Sequence, residues 1–203
     1  MLENKLGITS QVKLAKEEEK IAKIKAIELF DTNKINEYEI GTFNGLSSIH
    51  KFLFNDISSF AGKIREVNIA KGNFRFIFYI YLKEFLNKID NMPQDNFESI
   101  IKKYVEMNIA HPFREENGRS TSIWLDMILK KEINKVVDWS KVNKEDYLLA
   151  MERSPIKDTE IKILLENALT DKINDRQVFM KGIDASYSYE RYYAYKIEEL
   201  NNN

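Results

Sequence analysis

His111-Pro112-Phe113-Arg114-Glu115-Glu116-Asn117-Gly118-Arg119 lies between two apolar runs, and its reading decides the fold. Upstream, Phe97, Ile100, Ile101, Tyr104, Val105 and Ile109 recur at helical spacing, so a buried helix runs into His111. Asp95 or Asn96 can cap its start. Pro112 stops it, because proline disfavours helical geometry in the residue before it. Downstream, Ile123, Trp124, Leu125, Met127, Ile128 and Leu129 make a helix apolar on nearly every side and therefore buried. Asn117-Gly118 suits a tight turn, and a helix starting there points unsatisfied N–H groups and a positive dipole end at the turn. Arg119 adds a formal charge. The stretch reads as a phosphate cradle with a base, His111, at its rim.

The flanking chain is helical on both sides. Thr9 to about Phe30 predicts a charged helix with Ile21, Ile24, Ile27 and Leu29 buried and Lys16-Glu17-Glu18-Glu19-Lys20 as a solvated face. A second helix is expected from about Gly45 to Asn55. His50 lies in it among Ile49, Phe52, Leu53 and Phe54, where a packed, hydrogen-bonded imidazole is expected and no further role is assigned. Val67-Asn68-Ile69 and Phe74-Arg75-Phe76 alternate around Lys71-Gly72-Asn73 and predict one short β-hairpin. Further helices are expected over Phe78–Ile89, Asn143–Met151, Lys157–Leu169 and Asp175 to about Glu199. The predicted architecture is all-α, a single domain over 1–203, with one hairpin.

Composition narrows the function. Lysine plus arginine is 31 against 32 aspartate plus glutamate in 203 residues, so no basic footprint points to nucleic acid. The absence of cysteine removes disulfides, thiolate metal sites and a cysteine nucleophile, and two histidines cannot build a multi-histidine metal cage. No stretch is apolar enough for a signal peptide or a membrane span, so a cytoplasmic protein is expected.

At the central stretch the sequence resembles the Fic family, whose signature runs His-Pro-Phe-x-Asp/Glu-Gly-Asn-Gly-Arg-x-x-Arg. Ile64-Arg65-Glu66 through Lys71-Gly72-Asn73-Phe74-Arg75-Phe76 looks like the family's flap, and Tyr104-Val105-Glu106-Met107-Asn108-Ile109-Ala110 like the helix entering the signature. Ser186-Tyr187-Ser188-Tyr189-Glu190 looks like the C-terminal inhibitory helix, 175–200 here, of the small self-inhibited bacterial branch.

The resemblance implies transfer of AMP from ATP to a Ser, Thr or Tyr hydroxyl of a protein. By it, His111 is the base, its unperturbed pKa near ~6.5 suiting neutral pH. Glu115 holds Mg²⁺ against the phosphates. Asn117 holds the α-phosphate, with the amides of Asn117 and Gly118 at the anion hole. Arg119 clamps the β-phosphate. Lys71, Gly72, Asn73 and Phe74 border the nucleotide and align the target strand.

Three positions depart from the family pattern. Glu116 stands where glycine is usual; aimed inward, its carboxylate would repel a phosphate by about 4 kcal/mol at about 4 Å. Ser122 replaces the second arginine. Arg191 follows Glu190, so Ser186 and Glu190 keep their helical spacing while the usual arginine partner is gone. The tyrosine-rich C-terminus, Tyr187 included, is a packing face or a site of modification in cis. Members of this branch resemble toxins that modify type II topoisomerase subunits of the DNA gyrase or topoisomerase IV kind, and self-association is a further implication. The alternatives are a degenerate domain that binds nucleotide or protein without transfer, another donor, or removal of AMP.

Overall fold

The computed structural model describes residues 3–72, 74–189, 195 and 200. In chain order it comprises α1 (Gln11–Asp31), α2 (Phe43–Phe54), β1 (Ala70–Lys71), β2 (Phe74–Arg75), α3 (Leu82–Asp90), α4 (Phe97–Ala110), α5 (Asn117–Ile133), β3 (Val136–Val137), α6 (Lys144–Arg153), α7 (Thr159–Glu166), β4 (Leu169–Thr170) and α8 (Arg176–Tyr189). The protein is all-α with a hairpin flap.

Helices α4 and α5 form the centre. Asn96 starts α4 with a reciprocal cap, its side chain accepting from the Ser99 amide while the Ser99 hydroxyl accepts from the Asn96 amide. Trp124 of α5 is fully buried and donates from its indole to the Thr42 carbonyl at 2.9 Å, which ties α5 to the start of α2. The first turns of α5 bury a polar run that satisfies itself: Ser120, Thr121 and Ser122 each donate to a carbonyl three or four residues back. Lys130 and Lys131 sit in its last turn, where cations suit the dipole.

The hairpin is shorter than its alternating pattern suggests, pairing only Ala70 with Arg75 and Lys71 with Phe74. Phe78 does not start a long helix; a 3₁₀ turn over Tyr79–Tyr81 precedes α3. A second antiparallel pair, Val136 with Thr170 and Val137 with Leu169, corrects the expectation of a single hairpin. It pins the chain after α5 to the end of α7 and so sets the path into α8.

Helix α1 buries Leu29 and packs Ile21 and Ile27 on the core as expected, but its buried side extends further. Glu19, Ala22, Lys23, Ala26 and Leu29 are buried, whereas Ile24 is 42 % exposed. Glu19 therefore does not lie on a solvated face. It pairs at 2.9 Å with fully buried Lys23, which also meets Asp184 of α8 at 2.7 Å. These charges make α1 the backing of α8.

Candidate nucleotide-transfer site

The turn between α4 and α5 is built from two strained residues. His111 ends α4 in left-handed geometry (φ 46°, ψ 62°), since Pro112 excludes the right-handed helical region for it. Glu116 precedes α5 in the same region (φ 62°, ψ 19°) and provides no side-chain cap. Each costs about 1–2 kcal/mol relative to a relaxed residue, and such strain gathers at functional loops.

Asn117 offsets part of that cost from inside the loop. Its side-chain oxygen accepts from the Phe113 amide at 2.9 Å and its side-chain nitrogen donates to the Phe113 carbonyl at 2.9 Å. The side chain expected to hold a phosphate is thus occupied in shaping the turn. His50 braces the loop from behind. Its Nδ1 accepts from the Gly62 amide at 3.0 Å, which leaves the proton on Nε2, 3.1 Å from the Glu115 carbonyl that accepts it. The packed, hydrogen-bonded expectation for His50 holds, but the residue also positions the signature. Its apolar neighbours hid that, because its partner lies 65 positions away. Burial holds this imidazole at a pKa of about 4, the Glu115 carbonyl opposing and the Arg119 charge adding to the depression.

His111, Glu115, Glu116, Asn117, Gly118 and Ser122 line one cavity of about 710 Å³, a size that suits a nucleotide. Lys71, Gly72 and Phe74 of the flap border it, as do Trp139, Tyr147 and Met151 on the far side and Gly182 and Ser186 of α8. The flap carries Phe76 onto the imidazole of His111, rings 3.9 Å apart and 20° from parallel. Burial pushes His111 down to about 3; the Asn108 carbonyl opposes this, and Arg65 and Lys71 add to it. Its Nδ1 is buried without a hydrogen bond of ordinary geometry. The ring is neutral at physiological pH, but a pKa so low makes it a weaker base than the near-neutral value expected from sequence, because Phe76 and the surrounding burial disfavour the imidazolium.

Not every predicted site residue turns to the cavity. The Arg119 guanidinium does not line the cavity: it pairs with Glu18 of α1 and lies over the Tyr187 ring, 4.5 Å from its centroid. Glu18 therefore belongs to the site's surroundings, not to a solvated face. Glu116 does not turn to solvent: it lies at the cavity with its side chain 5 % exposed and Oε2 3.5 Å from His50 Nε2. Tyr187 is 2 % exposed, lies outside the cavity lining and is packed against Lys23 and Arg119, as the packing-face alternative expects. Ser122 lies at the cavity with its hydroxyl returned to the Arg119 carbonyl at 3.0 Å. Asn73, Glu190 and Arg191 lie outside the described residues.

The cavity is bounded by helices, with a histidine at the end of one and an anion-ready N-terminus on the next. Residues 42–129 match the Fic/DOC family model. The protein adenylyltransferase VbhT of Bartonella schoenbuchensis is 29 % identical over 196 residues, 89 % of this chain and 40 % of that relative. The chain thus spans about two fifths of that relative's length. The probable protein adenylyltransferase Fic of Salmonella typhimurium is 24 % identical over 138 residues, 62 % of this chain and 68 % of that one. Among solved structures, the N-terminal FIC domain of the effector Bep8 from Bartonella sp. 1-1C superposes with a TM-score of 0.69 at 20 % identity, covering 88 % of this chain and 92 % of that one. BepC of Bartonella tribocorum, solved with bound AMPPNP, gives 0.67 at 20 % identity over 84 % and 92 %. The fold is that of Fic domains.

Proposed function

We propose that this chain is a protein adenylyltransferase, moving AMP from ATP to a Ser, Thr or Tyr hydroxyl of another protein. The observation that carries this reading is that His111, Glu115 and the N-terminus of α5 open onto one cavity bordered by the flap. The hydroxyl gives its proton to the His111 imidazole as its oxygen bonds the α-phosphorus; the bond to the β-phosphate oxygen breaks and pyrophosphate leaves. Amides at the start of α5 stabilise charge on the α-phosphate. No group of three or more acidic, His or Cys side chains is poised for a metal among the described residues. A single exposed carboxylate is nonetheless the donor set that suits Mg²⁺ held mostly by phosphates, and Glu115 would supply it. When bound, the ion screens phosphate charge.

Helix α8 walls the cavity at Gly182 and Ser186, which supports restraint of the site by the C-terminal helix. The Glu18–Arg119 pair supports a resting form in which the expected β-phosphate clamp is withdrawn. A type II topoisomerase subunit is the first protein target to test, and a cytoplasmic setting suits it. No helix among the described residues is long and apolar enough to cross a membrane.

A second reading, nucleotide binding without transfer, is favoured by the buried Glu116 carboxylate at the start of α5. Purified protein with Mg²⁺ and α-labelled ATP, with and without gyrase or topoisomerase IV subunits, separates the two. Label that rises in Glu18→Ala and vanishes in His111→Ala supports transfer. Nucleotide binding with no label in any form supports the second reading.

A further inference from the structure

Arg65 is 3 % exposed, and its guanidinium ends entirely on backbone carbonyls. Nε donates to His111 O at 2.8 Å, and Nη2 to Ala110 O at 3.1 Å. The same Nη2 donates to Ile77 O at 2.5 Å, and Nη1 to Val67 O at 2.6 Å. Its own amide donates to Pro112 O at 2.8 Å. Val67 and Ile77 flank the hairpin on either side, and Ala110, His111 and Pro112 are the hinge where α4 ends. One planar group thus joins both legs of the flap to the strained backbone of the histidine. Its pKa is lowered by burial alone, with no carboxylate raising it. Burying a cation without a counter-charge is costly unless hydrogen bonds satisfy it. A fork of five N–H donors can serve four diverging carbonyls, which an ammonium cannot. A further bond, Ile77 N–H to Ile109 O at 3.2 Å, closes the same junction.

We propose that Arg65 is a positioning residue that makes the flap and the His111 hinge one mechanical unit, so that a polypeptide seated on the flap acts directly on the orientation of the imidazole. Phe76, carried between the hairpin and Ile77, completes that unit by stacking on the ring. Arg65 itself does not line the cavity. The inference rests on the transferase reading only for its kinetic consequence.

Native-state amide hydrogen exchange tests the mechanical part without activity. In the wild type, the amides of Arg65, Ile77 and His111 should open together, with one shared dependence on denaturant. In Arg65→Met, the Ile77 and His111 amides should both exchange at least tenfold faster, while the Ile100 amide at the start of α4 is unchanged. Arg65→Lys, which keeps the charge but not the fork, should fall between. Acceleration of the flap alone, or independent opening of the three amides in the wild type, would overturn the proposal. Should Arg65→Met fail to fold, the Arg65→Lys pattern decides by the same criterion. In the labelling assay, Arg65→Lys should lower kcat tenfold or more with the dissociation constant for ATP within twofold. Equal losses in both overturn the positioning role. If no form transfers AMP, the transferase reading fails while the exchange data still judge the clamp.

Discussion

At either end of the signature loop, His111 and Glu116 hold a backbone geometry that glycine adopts freely. Glu116→Gly should therefore raise stability by about 1 kcal/mol in urea unfolding. It also removes a buried carboxylate from the start of α5, so ATP affinity measured by calorimetry should rise about tenfold, a modest part of the repulsion expected at full approach. Unchanged affinity would mean that the His50 side of the loop screens the carboxylate fully. At His111 the decisive neighbour is Phe76. Uncovering the ring in Phe76→Ala should bring its NMR titration from about 3 back toward ~6.5. His50, held near 4 by separate packing, should not move, and with two histidines in the chain the signals are readily told apart.

The elements report a different lesson. Helix α1, whose charge run reads as solvent-facing, carries two buried ionic contacts: Glu18 to Arg119 and Lys23 between Glu19 and Asp184. Lys23→Met takes the shared cation away from buried Glu19 and from Asp184. We expect a loss of about 3–5 kcal/mol, read as a lower urea midpoint with unchanged slope. On α4, Asn96→Ala removes one half of a reciprocal cap and should cost about 1 kcal/mol, a local penalty with no effect on the cavity. The long helices were legible from spacing, and so was the turn at His111, because Pro112 and Asn117-Gly118 act on their immediate neighbours. The burial of charge on α1 was not legible: Ile21, Ile27 and Leu29 pack on the core as their spacing suggests, but Ile24 is exposed and Glu19 and Lys23 go inside, drawn by a pairing that reaches Asp184 of α8. The β3–β4 pair escaped for a similar reason, since two-residue strands have no period to read.

For the whole molecule, pH acts through a buried carboxylate between α5 and β3. Asp126 accepts from the Val137 amide at 2.8 Å and from the Trp139 indole at 3.1 Å. Burial pushes its pKa up to about 7, against those two donors. Its folded pKa lies above the unfolded value, so the fold gains stability as pH falls from about 7 toward the ordinary carboxylate range and loses it on the way up. The two histidines act oppositely: their depressed values make the fold less stable as pH falls below ~6.5. Asp126→Asn should therefore improve relative to wild type by about 2–3 kcal/mol between pH 5 and 8, measured by urea unfolding at each pH. The location of the site was legible from one motif, whereas the orientation of its charges was not. Arg119 points where Glu18, 101 positions earlier, draws it, and no local pattern encodes so distant a partner.

Gly182 of α8 meets Trp139 so closely that a Cβ there would lie 3.0 Å from the indole Cδ1. Trp139 is held by the bond from its indole nitrogen to Asp126 and by edge-on contact with Tyr147. The ring has little room to retreat, so a single added methyl group would tilt α8 outward or press the indole into the ligand space. Residue 182 is thus a caliper. The bulk of one side chain, remote from the phosphate end, sets how wide a molecule the chamber admits and how tightly the last helix can shut it.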